Sequence, residues 1–115
     1  MIQEILSNKK REIALNKEHQ TLDDIRAEAE RMSNHGQATS QFKDSITCNG
    51  FSIVAEIKRK SPSHGEIRNN LNAAEVAKAY SKETRVSGIS VLTDQQFFGG
   101  SLNDFRSVRS VTTKN

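Results

Sequence analysis

Two apolar runs, each followed by a polar loop and a capped helix, constrain the fold of this chain more than any other feature. The first run covers residues 51–58, and its helix begins after Asn72. The second run covers residues 88–93, and the helix that follows begins after Ser101. Two successive strand–helix units predict right-handed crossovers and a parallel sheet, because each connecting helix must pack back onto the sheet.

The first part of the chain predicts helices alone. Apolar residues recur at helical spacing over residues 2 to about 17. A second helix begins after Thr21, with carboxylates in its first turn, where they favour the helix dipole. Residues 33–40 are polar and predict the loop that ends this helix. We therefore predict a helical extension over residues 1–47, followed by two β/α units over residues 48–115.

The length of the chain limits what these units can form. Two parallel strands do not make a stable sheet by themselves. Such a piece is expected from a (β/α)₈ barrel, whose full form takes about 250 residues, or from a doubly wound sheet. With 115 residues, of which 34% are hydrophobic, the chain is too short to complete a barrel. The predicted class is α/β, as the front part of something larger.

The charge distribution argues against a nucleic-acid-binding protein. The formal net charge is +3, and the excess of lysine and arginine lies after residue 50. No basic run is longer than residues 58–60, and no aromatic residues interleave with this run as a stacking platform requires. A small anionic ligand such as a phosphate ester fits this asymmetry better than a polyanion. A solvated surface excess fits it equally well.

Neither end-of-chain signals nor cysteine pairs point to a membrane or to an oxidising compartment. Residues 1–11 lack the apolar segment of a signal peptide, and no run approaches the roughly 20 apolar residues of a membrane span. We expect a cytoplasmic protein that does not bind membranes. The single cysteine, Cys48, has no partner for an internal disulfide or a metal site and is expected to be a packed side chain.

Charged side chains end the first of the two strands. On a period of two, Glu56 and Lys58 share one face of the strand at its C-terminal end. Reactive groups collect at this end of parallel sheets, because the loops converge there on one crevice. The pair is a candidate for moving protons or for binding an anionic group. Spacing alone also fits an ordinary exposed ion pair.

The loops after the two strands contain the other candidate residues. Ser61 and Pro62 lie in the first loop, and their sequence also fits an ordinary turn. Phe97 and Phe98 precede two glycines in the second loop, which is unusual for a polar segment. These rings either cover the top of the core or form a wall for a flat, apolar part of a ligand.

Two long motifs go beyond spacing. AEIKRKSPSHGEI, residues 55–67, and SVLTDQQFFGGSLNDF, residues 90–105, resemble the first two strand–loop–helix units of the indole-3-glycerol-phosphate synthase family. The opening EILSNKKREIALNKEH is similar to the N-terminal helix of that family. The resemblance therefore covers almost the whole chain.

The resemblance implies a (β/α)₈ barrel with an N-terminal helical extension. It also implies a carbon–carbon lyase of tryptophan biosynthesis that uses no cofactor and no metal. The reaction of the family closes a small phosphorylated substrate, 1-(2-carboxyphenylamino)-1-deoxyribulose 5-phosphate, into indole-3-glycerol phosphate, with loss of carbon dioxide and water.

Residue roles follow from the resemblance by motif. Glu56 matches the strand-one glutamate that contacts the substrate and takes part in proton transfer. Lys58 matches the strand-one lysine that binds anionic groups of the substrate and has an acid role. Ser61 and Pro62 match the loop that borders the substrate, and Phe98 matches the aromatic residue beside the anthranilate ring.

The sequence departs from the family pattern at two places. Residues 83–87 replace a turn that usually contains Gly-Ala. Lys114 does not match the general-acid lysine of strand three, because it precedes any apolar strand, and the later phosphate-binding segments are absent. We therefore predict that this chain alone does not turn over the substrate. The alternative is a non-catalytic fragment that self-associates or needs a complementary fragment.

Overall fold

The computed structural model describes residues 1–34, 40–47 and 50–115. Cys48 and most of the loop predicted over residues 33–40 lie outside the described residues. The chain divides into two compact units, Met1–Thr39 and Ser40–Asn115. No helix in the described ranges is long and apolar enough to cross a membrane.

The first unit contains the two predicted helices, α1 (Ile2–His19) and α2 (Leu22–Asn34). A reciprocal cap begins α2: the Thr21 amide and hydroxyl donate to Asp24 Oδ2 at 2.9 and 2.7 Å, and the Asp24 amide donates back to Thr21 Oγ1. The hydrogen bonds from Thr21 hold the pKa of Asp24 below its ordinary value. Both helix predictions are confirmed.

The second unit contains the predicted strand–helix pattern with several short additions. Its elements, in chain order, are α3 (Ser40–Thr47), β1 (Ile53–Ile57), β2 (Lys60–Ser61), β3 (Gly65–Glu66), α4 (Ala73–Ser81), β4 (Val86–Val91), α5 (Gln95–Phe98) and α6 (Leu102–Arg109). The contacts of α3 group it with this unit. A domain boundary after residue 47 stays a prediction.

β1 and β4 pair in parallel, as the two strand–helix units predict. Glu56 lies opposite Ser90 in this pair, and the register shifts once, near the start of the strands. β2 and β3 form a separate antiparallel hairpin of two residues on each side. The α/β class is confirmed, and the parallel pair with its helices is consistent with part of a barrel whose sheet is not closed.

The core lies between this sheet and the helices α4 and α6. Its buried side chains are Ile57, Ala73, Ala77 and Val108. Small alanines let α4 approach the sheet closely, and Ala77 is fully buried. Burial of Ile57 fixes the orientation of β1, because neighbouring side chains must then face away from the core.

The predicted caps begin both of these helices. The Asn72 side chain accepts a hydrogen bond from the Glu75 amide at 3.2 Å at the start of α4. Ser101 accepts one from the Asp104 amide at 3.1 Å at the start of α6. Each cap satisfies one of the amides that a helix start leaves unpaired.

α3 covers part of the other side of the sheet. A Cβ atom added at Gly88 would lie 2.8 Å from Cε2 of Phe42, so the ring approaches the backbone of β4 closely. The Ser45 carbonyl also accepts a hydrogen bond from the Ser52 hydroxyl at 2.9 Å, just before β1. α3 therefore packs over the beginnings of the strands and leaves their C-terminal ends uncovered.

Candidate functional site

Glu56 and Lys58 form an ion pair at the C-terminal end of β1. Lys58 Nζ donates to Glu56 Oε1 at 2.6 Å, and the two side chains are 32% and 45% exposed, with the lysine the less exposed. Ile57 between them is buried in the core. The pair therefore lies on the side of the sheet away from α4 and α6, as the alternation predicted.

Ser90 adds a hydroxyl group to this side of the sheet. It lies opposite Glu56 in the parallel register and is half-buried. Its neighbours Ile89 and Val91 pack on the core, so Ser90 faces the same way as Glu56. Ser90 is not among the residues that the sequence motifs predict for the site. A serine within a mostly apolar strand was the available signal, but it acquires meaning only once the register is known.

The hairpin of β2 and β3 brings Ser61 and Pro62 to the same end of the sheet. Ser61 Oγ accepts a hydrogen bond from the His64 amide at 3.2 Å, which closes the turn. The carbonyl of Arg59 accepts from the amides of residues 67 and 68 at 2.8 and 3.0 Å. Ser61 and Pro62 are both half-buried. The predicted loop is thus an ordered hairpin that starts two residues after Lys58.

The segment with Phe98 forms a single helical turn, α5, where the sequence predicted a loop. Asp94 Oδ1 accepts from the amide of Phe97 at 2.7 Å and so caps its start. Gly99 ends it with a left-handed backbone, at φ +68. A Cβ atom on Gly99 would meet Lys60 Cγ at 3.3 Å, so α5 packs directly beside β2. Phe98 and the hairpin are therefore neighbours at the strand ends.

Arg59 connects the end of β1 to both core helices. Its guanidinium donates to the two oxygens of Asp104 at 2.7 and 2.8 Å, and to the Leu71 carbonyl at 2.8 Å. The side chains of Arg59 and Asp104 are 23% and 16% exposed. Sequence spacing gave no signal for this pair, because its members are 45 residues apart and meet only after α6 has packed.

Arg59 also affects the ionisation of its partner. Burial raises the pKa of the Asp104 carboxyl group, but the hydrogen bonds from Arg59 and Ser101 and the charge of Arg59 together lower it more. The pKa of Asp104 therefore lies below its ordinary value. The folded chain favours the charged carboxylate, which links this ion pair to the pH dependence of stability.

Asp104→Asn is expected to remove a pH-dependent part of the stability. The folded pKa of Asp104 is lowered, so its contribution is complete above the unfolded value of about 3.9 and is lost as pH falls through the folded pKa. At near-neutral pH the free energy of unfolding of the variant should be lower by about 2 kcal/mol, the scale of a charged hydrogen-bonded pair. Urea unfolding at neutral pH and well below pH ~3.9 checks this, and an equal difference at both would contradict it.

The chemistry of this end of the sheet suits a small anionic molecule with a flat part. Lys58 supplies an ammonium group, Glu56 a carboxylate and Phe98 a half-buried ring. Within residues 1–34, 40–47 and 50–115, no three His, Cys, Asp or Glu side chains are grouped so that they could hold a metal ion.

Lys114 lies away from these residues. Its ammonium group donates to the Glu83 carbonyl at 3.1 Å, before the start of β4 and so at the opposite end of the strand from Lys58. Asn115 O accepts from the amide of Ile89 at 2.7 Å, and Arg109 donates to the Lys114 carbonyl at 2.6 Å. The last residues therefore follow β4 without adding a side chain to the site.

Comparison with known proteins supports one family. The family model described as indole-3-glycerol phosphate synthase matches residues 2–115. Curated proteins with that name include one from Thermoanaerobacter pseudethanolicus, 34% identical over 114 residues that make up 99% of this chain and 42% of the relative. One from Bacteroides thetaiotaomicron is 33% identical over 109 residues, 95% of this chain and 40% of the relative.

A third relative is more similar over a shorter stretch. The indole-3-glycerol phosphate synthase of Leptospira interrogans is 52% identical over 69 residues, which are 60% of this chain and 27% of the relative. The chain thus spans less than half the length of each of these curated relatives.

Proposed function

The chain belongs to the indole-3-glycerol phosphate synthase family, and we propose that it supplies one wall of the active site of such an enzyme. The reaction is the closure of 1-(2-carboxyphenylamino)-1-deoxyribulose 5-phosphate to indole-3-glycerol phosphate, a step of tryptophan biosynthesis. The second unit is proposed to be the first two β/α units of a (β/α)₈ barrel, and the N-terminal helices are its extension. A cytoplasmic location is part of the same proposal.

The observation that carries this proposal is the Glu56–Lys58 pair at the C-terminal end of a parallel strand, at 2.6 Å. Catalytic residues of (β/α)₈ barrels lie at this end of the strands. The pair lies on the side of the sheet away from α4 and α6, which would be the inner side of a barrel.

The chemistry of ring closure uses both charges. A carbon–carbon bond forms between the ring carbon that bears the carboxylate and the ketone carbon, and the former ketone oxygen gains negative charge and a proton. The bond to the carboxylate then breaks, its electron pair returns to the ring and carbon dioxide leaves. The new hydroxyl group finally takes up a proton and departs as water, and the methylene carbon beside the nitrogen loses a proton to form the indole double bond. We assign Lys58 to binding anionic groups and stabilising the charge on oxygen, and Glu56 to proton transfer.

The neighbouring loops fit the rest of the substrate. Phe98 is proposed to lie against the anthranilate ring, because a half-buried aromatic side chain of the helical turn that packs beside β2 offers a flat apolar surface. Ser61 and Pro62 are proposed to border the substrate, since their hairpin begins directly after the strand that carries Lys58. No cofactor or metal takes part in the proposed reaction.

The test joins this chain to the rest of a related enzyme. Residues 1–115 are fused to the remainder of the Thermoanaerobacter pseudethanolicus relative, and formation of indole-3-glycerol phosphate from the substrate is followed by indole fluorescence. We expect turnover by the fusion and none by the 115-residue chain alone, because positioned groups from several strands must act together. A folded fusion without activity would contradict the proposed function. Turnover by the 115-residue chain alone would contradict the prediction that the chain supplies only part of the active site.

Self-association is the alternative proposed for the chain on its own. Large apolar side chains of the second unit are exposed, among them Val54 at 52%, Leu102 at 61% and Phe105 at 49%. Exposed apolar side chains of this size favour association with a second surface. This behaviour is compatible with the proposed enzyme role, since other β/α units would cover the same residues.

A further inference from the structure

Lys58 lies between two residues whose positions are fixed by hydrogen bonds. On one side, the carbonyl of Ile57 accepts from the amide of Leu92 at 3.2 Å, which ends the β1–β4 pairing. On the other side, Arg59 is held by its carbonyl and by its guanidinium. The direction of the Lys58 side chain therefore depends on how firmly Arg59 is held, because neighbouring side chains of an extended segment point to opposite sides.

Arg59 is held by bonds that demand one geometry. Its two parallel bonds to Asp104 fix the plane of the guanidinium, and the bond to Leu71 fixes its rotation. Asp104 is itself fixed, because its Oδ2 accepts from Ser101 Oγ at 2.9 Å at the start of α6. An arginine fork held in this way orients the backbone more strictly than a lysine would.

The position of this ion pair separates it from an ordinary surface contact. Arg59 and Asp104 are 23% and 16% exposed, whereas the Arg26–Asp23 pair of α2 is 60% and 88% exposed. The Arg59 carbonyl also accepts two amides from the exit of β3. Arg59 thus connects β1, the hairpin, the start of α4 and the start of α6 at one point.

We propose that Arg59 and Asp104 are positioning residues, and that their ion pair holds the Lys58 side chain on the site face of the sheet against Glu56. The value of this position for catalysis rests on the proposed function. The position itself is a property of the folded chain and can be measured without substrate.

The experiment measures how fast Lys58 reacts. A trace of acetic anhydride acylates the lysines of the folded 115-residue chain, and mass spectrometry gives the rate at Lys58 relative to Lys78. Lys78 is paired with Glu75 at 3.0 Å on the surface of α4 and serves as an internal reference. Release of Lys58 from Glu56 should raise this ratio about two- to fivefold, the scale that an ion pair of this exposure supports.

Two variants separate positioning from simple charge effects. Asp104→Asn removes a negative charge and Arg59→Gln removes a positive charge, so through-space electrostatics alone would move the reactivity of Lys58 in opposite directions. Loss of positioning raises the reactivity of Lys58 in both variants. Opposite changes, or an unchanged ratio in both variants, would overturn the proposal.

Further variants guard against unfolding and nonspecific effects. Arg59→Lys keeps the charge but cannot form the fork, so a raised ratio is expected here as well. It provides the decisive comparison if Asp104→Asn does not fold, and a ratio equal to that of the parent chain would overturn the proposal. Asp23→Asn breaks the exposed pair of α2 and should leave the ratio unchanged; a comparable rise there would also overturn it.

The labelling result and the fusion activity are independent. A positive labelling result with an inactive fusion would leave the positioning intact and reject the proposed function. An unchanged labelling ratio with an active fusion would reject the positioning alone.

Discussion

Gly100→Ala is expected to destabilise the second unit by at least about 3 kcal/mol, the upper range of overpacking. A Cβ atom at this position would lie 1.7 Å from the Leu92 carbonyl oxygen and 2.6 Å from its carbon. Both contacts are with backbone, so no side-chain rotation relieves them. The amide of Gly100 also donates to the Asp94 carbonyl at 2.9 Å, which ties the glycine in place.

Such a loss is large for a unit of this size. Folded chains retain about 0.05–0.15 kcal/mol of net stability per residue, so the expected cost approaches the lower end of the net stability of the second unit. Urea unfolding followed by circular dichroism should show a strongly lowered midpoint or no cooperative transition.

Gly65→Ala is the matched control. Gly65 has the positive φ of +68, but an added Cβ atom meets nothing within 4 Å. Gly65→Ala should lower the free energy of unfolding by about 1 kcal/mol, the strain of a left-handed backbone alone. Only Gly65 of these two glycines has a positive φ, so equal losses in the two variants would contradict the close approach at Gly100.

The close approach explains a pair of glycines that the sequence left unexplained. Gly99 ends α5 with a left-handed conformation, and Gly100 lets the chain pass against the end of β4. Both together turn the chain sharply enough for α5 to lie beside β2. The two phenylalanines before them were recognisable as unusual, but the glycine roles depend on the backbone of Leu92, which no local pattern reveals.

The parts predicted correctly are those with local causes. The strands follow from apolar runs. The starts of α2, α4 and α6 follow from caps, in each of which a side chain accepts a hydrogen bond from the amide three residues later. The shared face of Glu56 and Lys58 follows from the alternation of a strand. Each of these features is fixed by residues close together in sequence, so the sequence alone was enough to predict it.

The parts missed have long-range causes. α3 has only Phe42 and Ile46 at helical spacing, and it gains its place by packing Phe42 on Gly88 of β4. The Arg59–Asp104 pair joins the end of one strand to the start of the second helix beyond it. Sequence patterns carry no information on such pairs until the topology is known. The Asp94 cap of α5 was local, but it lay inside a segment interpreted as a loop.

Lys58→Met in the fusion should lower kcat/KM by about 10²–10³-fold, the loss seen when a group that stabilises developing charge is removed. Methionine keeps the length and the apolar stem of the lysine, so the core and the hairpin are retained. It removes the ammonium group that we assign to the anionic groups of the substrate. Steady-state rates of indole-3-glycerol phosphate formation measure the loss.

Lys78→Met is the matched control for charge. Lys78 is 52% exposed on α4 and pairs with Glu75, as Lys58 pairs with Glu56, but it lies on the far side of the helix from the sheet. Its loss should change kcat/KM less than about twofold, since exposed ion pairs are worth little. A similar loss in both variants would mean that general charge, and not the place of Lys58, governs activity.

Glu56→Gln distinguishes proton transfer from the mere support of Lys58. The amide retains the shape and can still accept a hydrogen bond from Lys58, but it does not take up a proton. If Glu56 moves protons, its replacement lowers kcat about 10²–10⁴-fold with little change in KM. If it only orients Lys58, kcat falls far less, and the labelling ratio of Lys58 rises in step with that fall. The first pattern is the expected one, because the carboxylate is 45% exposed and so remains accessible to substrate beside the ammonium group.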